Sequence, residues 1–327
     1  MTSAQPIRSA ALPLRRRPRR ARGEAAAPSS PNRGSGISKR RGRALAAVAL
    51  MALPLAVYGL FMLYPIGRVL VLSLYTWDGL GTGTWAGLDN YRLTFTDPRL
   101  VGAFAHALVL IVFYAVIPLA IGLVLASLLA RAKVRGIGFF RTVVFLPQVI
   151  AMVVLAIAWR QIYQPNGLLN TVLSWFVPGE VTTAWLGDYS TALVAVGLIG
   201  TWVSTGLVTV LLMSGIAGIP KDYYEAATLD GAGWFRQFRY VTVPGVRAEI
   251  LVSLTLTIIS ALKTFDLVYM TTSGGPGTST TVPSYEVYNQ AFRLGQVGTA
   301  SSLAVVLTLV IFVINLTLNL VGERGQK

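Results

Sequence analysis

The sequence predicts an all-α membrane protein with six transmembrane helices. Hydrophobic residues make up 54% of the 327 residues and charged residues only 13%, where a soluble domain carries about 25%. Several apolar runs exceed the roughly 18–20 residues that cross a bilayer core. The stretches between them are polar and turn-rich. A backbone inside lipid must satisfy its own hydrogen bonds, so such runs are helices.

The elements follow in order. Residues 1–43 hold 12 of the 28 Lys and Arg, in LRRRPRR and SKRRGR, and read as a disordered basic cytoplasmic tail. Because a span follows at once, this charge reads as topogenic and facing membrane lipid, with no nucleic acid as partner. The next apolar run is too long for the h-region of a signal peptide, and no small-x-small site closes it, so it reads as a retained anchor. The transmembrane domain is placed at 44–322, with 323–327 as cytoplasmic C-terminus. The spans are expected at about 44–65, 103–130, 142–162, 190–217, 249–270 and 299–321. Pro147-Gln148 interrupts the third. Arg68 marks an outer interface, and Trp77 suits an aromatic belt.

Charge orients the spans. The tail, 131–141, 218–248 and the C-terminus carry twelve, four, four and two basic residues, while the opposite loops 76–101, 163–189 and 271–298 carry only Arg92, Arg99 and Arg293. The basic excess puts both termini in the cytoplasm, and an even span count agrees.

Several chemistries are excluded. Cysteine is absent and His106 is the only histidine, so thiolate sites and imidazole clusters cannot form. No G-x-x-x-x-G-K-[ST] loop cradles a nucleotide. The chain is expected to have no catalytic residues, cofactor or metal of its own. His106, near the outer end of span two, reads as interfacial.

The loop 218–248 is polar, charged and set between two apolar spans. Pro220 suits a helix start, where its missing donor is harmless. Asp222 and Glu225 fall in the early turns, where negative charge suits the helix dipole. Gly231 and Gly233 can end the helix. The result is a short helix across the cytoplasmic side, with Ala226 and Ala227 allowing close approach and Tyr223 and Tyr224 giving amphipathic contact area. WFRQFRYVTVP then returns the chain to the membrane. Physics leaves two readings open, an interfacial connector and a docking helix for a soluble partner.

The run Glu225-Ala226-Ala227, Asp230-Gly231-Ala232, Phe238 and Val241-x-Val243-Pro244 resembles the EAA loop of bacterial ABC importer permeases, with Val-x-Val-Pro where Ile-x-Leu-Pro is usual. YPIGRVLVLSLYTWDG with WAGLDNYRLTFTDP, and LKTFDLVYMTTSGGPGTSTTVPSYEVYNQAF, resemble the carbohydrate importer branch, in particular its maltose-transporter-like first permease subunit. The resemblance covers nearly everything after residue 44. It implies a type I ABC importer permease fold, with Tyr224, Glu225, Ala226, Ala227, Asp230, Gly231 and Ala232 coupling to a separate ATPase. It also implies the partners: a second permease subunit, a cytoplasmic ABC ATPase dimer that holds ATP and Mg, an extracellular solute-binding protein and a sugar substrate. The location implied is a bacterial cell membrane.

Ionisable residues inside spans are costly and usually functional. Lys263 and Asp266 lie three apart on span five and read as sharing a helical face, where they either pair or face a water-filled cavity. Glu249 belongs to the inner edge of that span. Trp202, Thr205, Thr257, Ser260 and Thr264 complete the candidate pore-lining set, with Ser204, Thr209, Ser253 and Thr255 nearby. Such hydroxyls equally serve as glue between helices. Gly197, Gly200 and Gly206 suggest close packing of span four. The function expected is the permease subunit of an ABC sugar importer. The alternatives are an ABC permease for another solute such as a glycerol phosphate, with Lys263 and Arg160 as cationic candidates, and an ion-coupled secondary transporter. The latter would show inverted repeats and intramembrane carboxylates. No clear repeat is visible, and only Asp266 lies at a suitable depth. A membrane enzyme finds no supporting cluster.

Overall fold

The structure is a computed structural model, and it describes residues 48, 50–131 and 136–324. The basic tail 1–43 lies outside the described residues, as do 132–135 and 325–327. The chain divides into two compact units, Met1–Gly59 and Leu60–Lys327. In the first unit, residues 50–58 are helical and exposed.

Four helices are long and apolar enough to cross a membrane: Leu50–Leu72, Pro98–Ala130, Ala192–Gly218 and Val297–Gly322. Two bent pairs pass the same test, Gly138–Val149 with Met152–Ile162 at 98° and Trp234–Gly245 with Arg247–Leu262 at 70°. Six spans result when each pair counts as one. Five of them fall where the apolar runs place them, with ends that differ by up to seven residues; the fifth, expected at 249–270, begins fifteen residues earlier and ends eight residues sooner.

Span four, Ala192–Gly218, is the centre. It is 61% buried by its own chain, against 11% for the Val297–Gly322 span. A helix surrounded by protein is apolar all round, which is how this segment reads. Its N-terminal half packs Val196 and Ile199 with Leu110 and Tyr114. Its C-terminal half packs Val208 and Leu212 with Ala126. The glycines expected to allow close packing do so. A Cβ on Gly200 would strike the ring of Tyr114, and one on Gly206 would strike the Val144 carbonyl oxygen. Span three therefore crosses span four with its backbone against Gly206. The interruption expected at Pro147-Gln148 falls slightly later: the Ile137–Val149 helix runs through Pro147, and the bend follows it. Ile150 and Ala151 are then extended.

Span five departs from expectation. The continuous helix expected over 249–270 stops at Leu262, with Lys263 as its cap, and resumes only at Asp266–Thr271. Phe265 between them takes φ −134° and ψ −59°. Thr264 is buried, its hydroxyl 3.2 Å from the Tyr114 hydroxyl. A side chain tied sideways into span two replaces the next helical turn.

The loops at one end meet. A two-stranded antiparallel ribbon pairs Tyr75 with Trp85 and Thr76 with Thr84. Asn90 is buried. Its amide donates to the Ser73 and Tyr75 carbonyls, both at 2.9 Å, and accepts from the Thr299 hydroxyl at 3.2 Å. The Asn90 carbonyl accepts from Thr94 and Ser302. One residue thus joins the end of the first span, the Asp89–Thr96 helix and the start of the sixth span. Asn170 does similar work in the next loop: its amide donates to the carbonyls of Gln164, Pro165 and Thr183 and accepts from the Trp185 indole at 2.7 Å. The third loop joins them where His106 Nδ1 donates to the Thr281 carbonyl at 2.9 Å. That bond gives His106 a structural place.

Candidate coupling and translocation site

At the opposite end, the polar loop forms the helix Lys221–Leu229, with Pro220 as its N-cap residue and Asp222 in its first turn. Its C-terminus closes as a Schellman motif. The Ala232 amide donates to the Ala227 carbonyl at 2.9 Å and the Gly231 amide to Thr228 at 3.0 Å. Gly231 takes φ +74°, a conformation that costs any residue with a Cβ. The glycine that follows Asp230 is therefore required by the turn.

This helix is tied back to its own chain by few groups. The Tyr224 hydroxyl lies 3.1 Å from that of buried Thr242. Gln237 donates to the Thr228 hydroxyl and to the Ala232 carbonyl, both at 2.9 Å. Asp222, Tyr223, Glu225, Ala226, Leu229, Asp230 and Gly231 are exposed, and Leu229 is 89% exposed. Of the two tyrosines expected to give contact area, Tyr223 is exposed, whereas Tyr224 turns inward as a tether. Ala227 and Ala232 are half-buried. Behind the helix lies a cavity of about 580 Å³, lined by Gly215, Ile219, Tyr223, Tyr240, Pro244 and Glu249 among others. Glu249 lies against Gly215, where an added Cβ would come within 2.5 Å of its carboxyl carbon.

The pore candidates separate into two groups. Trp202 is 42% exposed and meets Trp159 edge-on at 5.5 Å. Ser260, Lys263 and Asp266 are exposed and Thr205 is half-buried. Thr257 and Thr264 are buried and offer no surface, because this chain's own side chains enclose them. Lys263 and Asp266 do not share a helical face, since the break separates them. Among the described residues the ion pair is Arg99 with Asp97, so Lys263 and Asp266 do not pair. Lys263 instead lines a cavity of about 460 Å³ with Ser284, Val287, Leu307 and Thr308.

The hydroxyls share a habit. Thr205 donates to the Thr201 carbonyl and Thr209 to that of Thr205, both at 2.7 Å. Thr257 donates to Ser253 at 2.7 Å and Ser260 to Leu256 at 2.9 Å. Each bonds to the carbonyl four residues back on its own helix.

Sequence reasoning missed the two asparagine knots, the break at Lys263 and the aromatic residues around it. GLDNY enters the sequence reading only as part of the family resemblance, although its asparagine was the available signal. Nothing in NTVLSW marks Asn170. Nearby, burial pushes the Tyr285 phenol above its ordinary range, and Arg293 works against that shift.

Comparison with known proteins places this arrangement. Residues 119–324 match the family described as binding-protein-dependent transport system inner membrane component. The chain is 39% identical to the probable ABC transporter permease protein YurN of Bacillus subtilis (strain 168), over 85% of this chain and 95% of that protein. It is 34% identical to the diacetylchitobiose uptake system permease protein NgcF of Streptomyces coelicolor, over 81% of this chain and 79% of that one. Among solved structures, a bacterial ABC transporter involved in import of the acidic polysaccharide alginate superposes with a TM-score of 0.77 at 20% identity, covering 89% of this chain and 99% of that one.

Proposed function

This chain belongs to the family of binding-protein-dependent transport system inner membrane components, and we propose that it is the permease subunit of an ABC importer whose cargo is a sugar. One observation carries the coupling half of this reading. The Lys221–Leu229 helix is closed by a Schellman cap and presents Glu225, Ala226 and Leu229 outward with no cover from its own chain. An exposed leucine beside an acidic side chain suits a protein cleft better than lipid. The basic excess assigns this end to the cytoplasm, with both termini on the same side of a bacterial cell membrane. A dimeric ABC ATPase, carrying ATP and Mg, docks there. A second permease subunit completes the pore, and an extracellular solute-binding protein delivers cargo at the end tied by Asn90 and Asn170. Closure of the ATPase moves the helix and shifts the pore between inward-facing and outward-facing states, a population shift that requires differential binding.

The sugar assignment rests on the diacetylchitobiose relative and on the hydroxyl and indole groups of spans four and five. Trp202, Thr205 and Ser260 are the lining residues proposed, with Lys263 and Asp266 at the break. One observation favours a second reading, an anionic solute such as a glycerol phosphate: Lys263 is exposed and unpaired with Asp266.

The test is affinity purification of the chain from its native membrane in mild detergent, followed by mass spectrometry. A P-loop ATPase and a second six-span chain should copurify. A chain that emerges alone and drives ion-coupled uptake in vesicles would overturn the proposal.

A further inference from the structure

The stretch between the exposed Lys221–Leu229 helix and the main part of span five is a separate helical arm. Trp234–Gly245 meets Arg247–Leu262 at a bend of 70°. The arm extends for about 18 Å, and at that angle it climbs only about 6 Å along the span. It therefore runs across the end of span five and adds little to its depth.

One side of the arm is committed to the chain. Gln237 and Thr242 are buried. Gln237 donates to the Thr228 hydroxyl and the Ala232 carbonyl, and Thr242 meets the Tyr224 hydroxyl. These bonds tie down the Lys221–Leu229 helix, so the position of the arm fixes the position of that helix. The other side is open. Trp234, Phe235, Arg236, Arg239 and Tyr240 are exposed, Phe235 by 69% and Tyr240 by 73%. The Arg239 guanidinium lies 5.7 Å from the centre of the Tyr240 ring. No Asp or Glu falls between Asp230 and Glu249, and every charged side chain in that interval is an arginine.

This composition decides what covers the open face. Hydrocarbon has no place for two arginines, and water gains nothing from three large rings. The headgroup layer accepts both: the rings lie at the boundary with the acyl chains, and the guanidinium forks take phosphate oxygens. Charge of a single, positive sign favours an anionic headgroup over a zwitterionic one.

We infer that this face of the arm docks on anionic phospholipid headgroups, with Arg236 and Arg239 on lipid phosphates and Trp234, Phe235 and Tyr240 at the acyl boundary, and that the headgroups thereby set the depth of the Lys221–Leu229 helix. The assignment to the cytoplasmic leaflet and the consequence for transport rest on the importer reading. The lipid contact itself does not.

The chain holds no cysteine, so single labels can be placed directly. Phe235→Cys and Leu229→Cys, each carrying an environment-sensitive fluorophore, are reconstituted in phosphatidylcholine vesicles with and without phosphatidylglycerol. Quenching is measured with doxyl-labelled lipid and with acrylamide in the water. The Phe235→Cys label should be quenched by the lipid and shielded from acrylamide, more so in the anionic vesicles. The Leu229→Cys label should be open to acrylamide in both. Arg236→Gln with Arg239→Gln should erase the difference between the two vesicles, since each arginine near an anionic surface shifts such an equilibrium by about fivefold. Arg92→Gln, exposed at the opposite end, should leave the difference intact. In vesicles that hold the chain with its copurifying partners, phosphatidylglycerol should raise uptake severalfold for the wild type and not for the double variant. Equal acrylamide access at the two labels overturns the proposal. So does shielding of the Phe235→Cys label that appears only when the ATPase is added, which would make the arm a protein contact. A double variant whose uptake still responds to phosphatidylglycerol overturns the link to the Lys221–Leu229 helix. If no ATPase copurifies, the importer reading fails, and the quenching measurement still decides the lipid contact.

Discussion

The two ends of the protein are held by opposite means. At the end of the 76–101, 163–189 and 271–298 loops, Asn90 gathers partners from three elements, Asn170 ties both arms of its own loop, and both are buried. At the other end, the Lys221–Leu229 helix is exposed along most of its length and tied mainly through Tyr224 and Gln237. Removing a buried amide strands several polar groups without solvent, and each costs about 1–3 kcal/mol. Losing a contact on an exposed helix costs little stability. One end is therefore held in shape by its own chain, and the other is the end proposed to be gripped and moved by a partner.

Mutations can break this contrast. The largest effect is expected at the gripped end and in transport alone. Gly231→Pro cannot reach φ +74° and loses the amide that donates to Thr228, so uptake should vanish while membrane insertion stays normal. Glu225→Lys should do the same by reversing charge on the exposed face. Normal transport by either variant, measured beside an insertion assay, would remove the coupling role from this helix.

Next comes the knotted end, where the effect should appear as stability. Asn90→Leu leaves the Ser73 and Tyr75 carbonyls and the Thr299 hydroxyl without their partner, a loss of about 3 kcal/mol. Purified protein should melt at a clearly lower temperature, and less of it should reach the membrane. An unchanged Tm would mean that water replaces the amide and that the two ends are less different than they look.

A smaller effect sharpens the contrast from within the gripped end. Tyr224→Phe removes the bond to Thr242, worth about 1 kcal/mol. Uptake should fall by a few-fold with Tm almost unchanged, since the helix keeps its cap but is held less firmly. If Tm falls as far as in Asn90→Leu, the tether is structural and the mechanical reading of this end is wrong. The smallest effect is expected from deleting residues 1–35, which lie outside the matched family segment. Transport should remain largely intact, and loss of uptake with normal insertion would give the tail a role.

Much of this architecture was legible in the sequence, and what was missed has a physical reason. Span positions follow from apolar runs. Pro220 and Gly231 bracket the short helix because proline suits a helix start and glycine the left-handed cap. Pro147 lies close to the bend in span three, which falls at Ile150 and Ala151, and Gly200 and Gly206 announce close packing. The break in span five carries no such marker. SALKTFDLVYM holds neither proline nor glycine, and the helix ends because Thr264 and Phe265 find partners in elements distant in sequence. The Asn90 knot fails for the same reason: an asparagine in a loop favours a turn by itself, and only the folded chain brings the ends of three elements within its reach. For the candidate pore residues, sequence chemistry cannot say which hydroxyls face outward, and so Thr257 and Thr264 enter the set although the fold encloses them.

Thr205, Thr209, Thr257 and Ser260 each give their proton to the carbonyl one turn back on their own helix. A hydroxyl so committed has only lone pairs left to offer. Where such oxygens reach a surface, as at Ser260 and in part at Thr205, that surface can receive hydrogen bonds but gives none. A cargo rich in its own O–H groups would meet ready acceptors there, and one rich only in carbonyls or carboxylates would find no donor among them. On the proposed pathway, these helices would select by the direction of their hydrogen bonds as well as by the size of the passage.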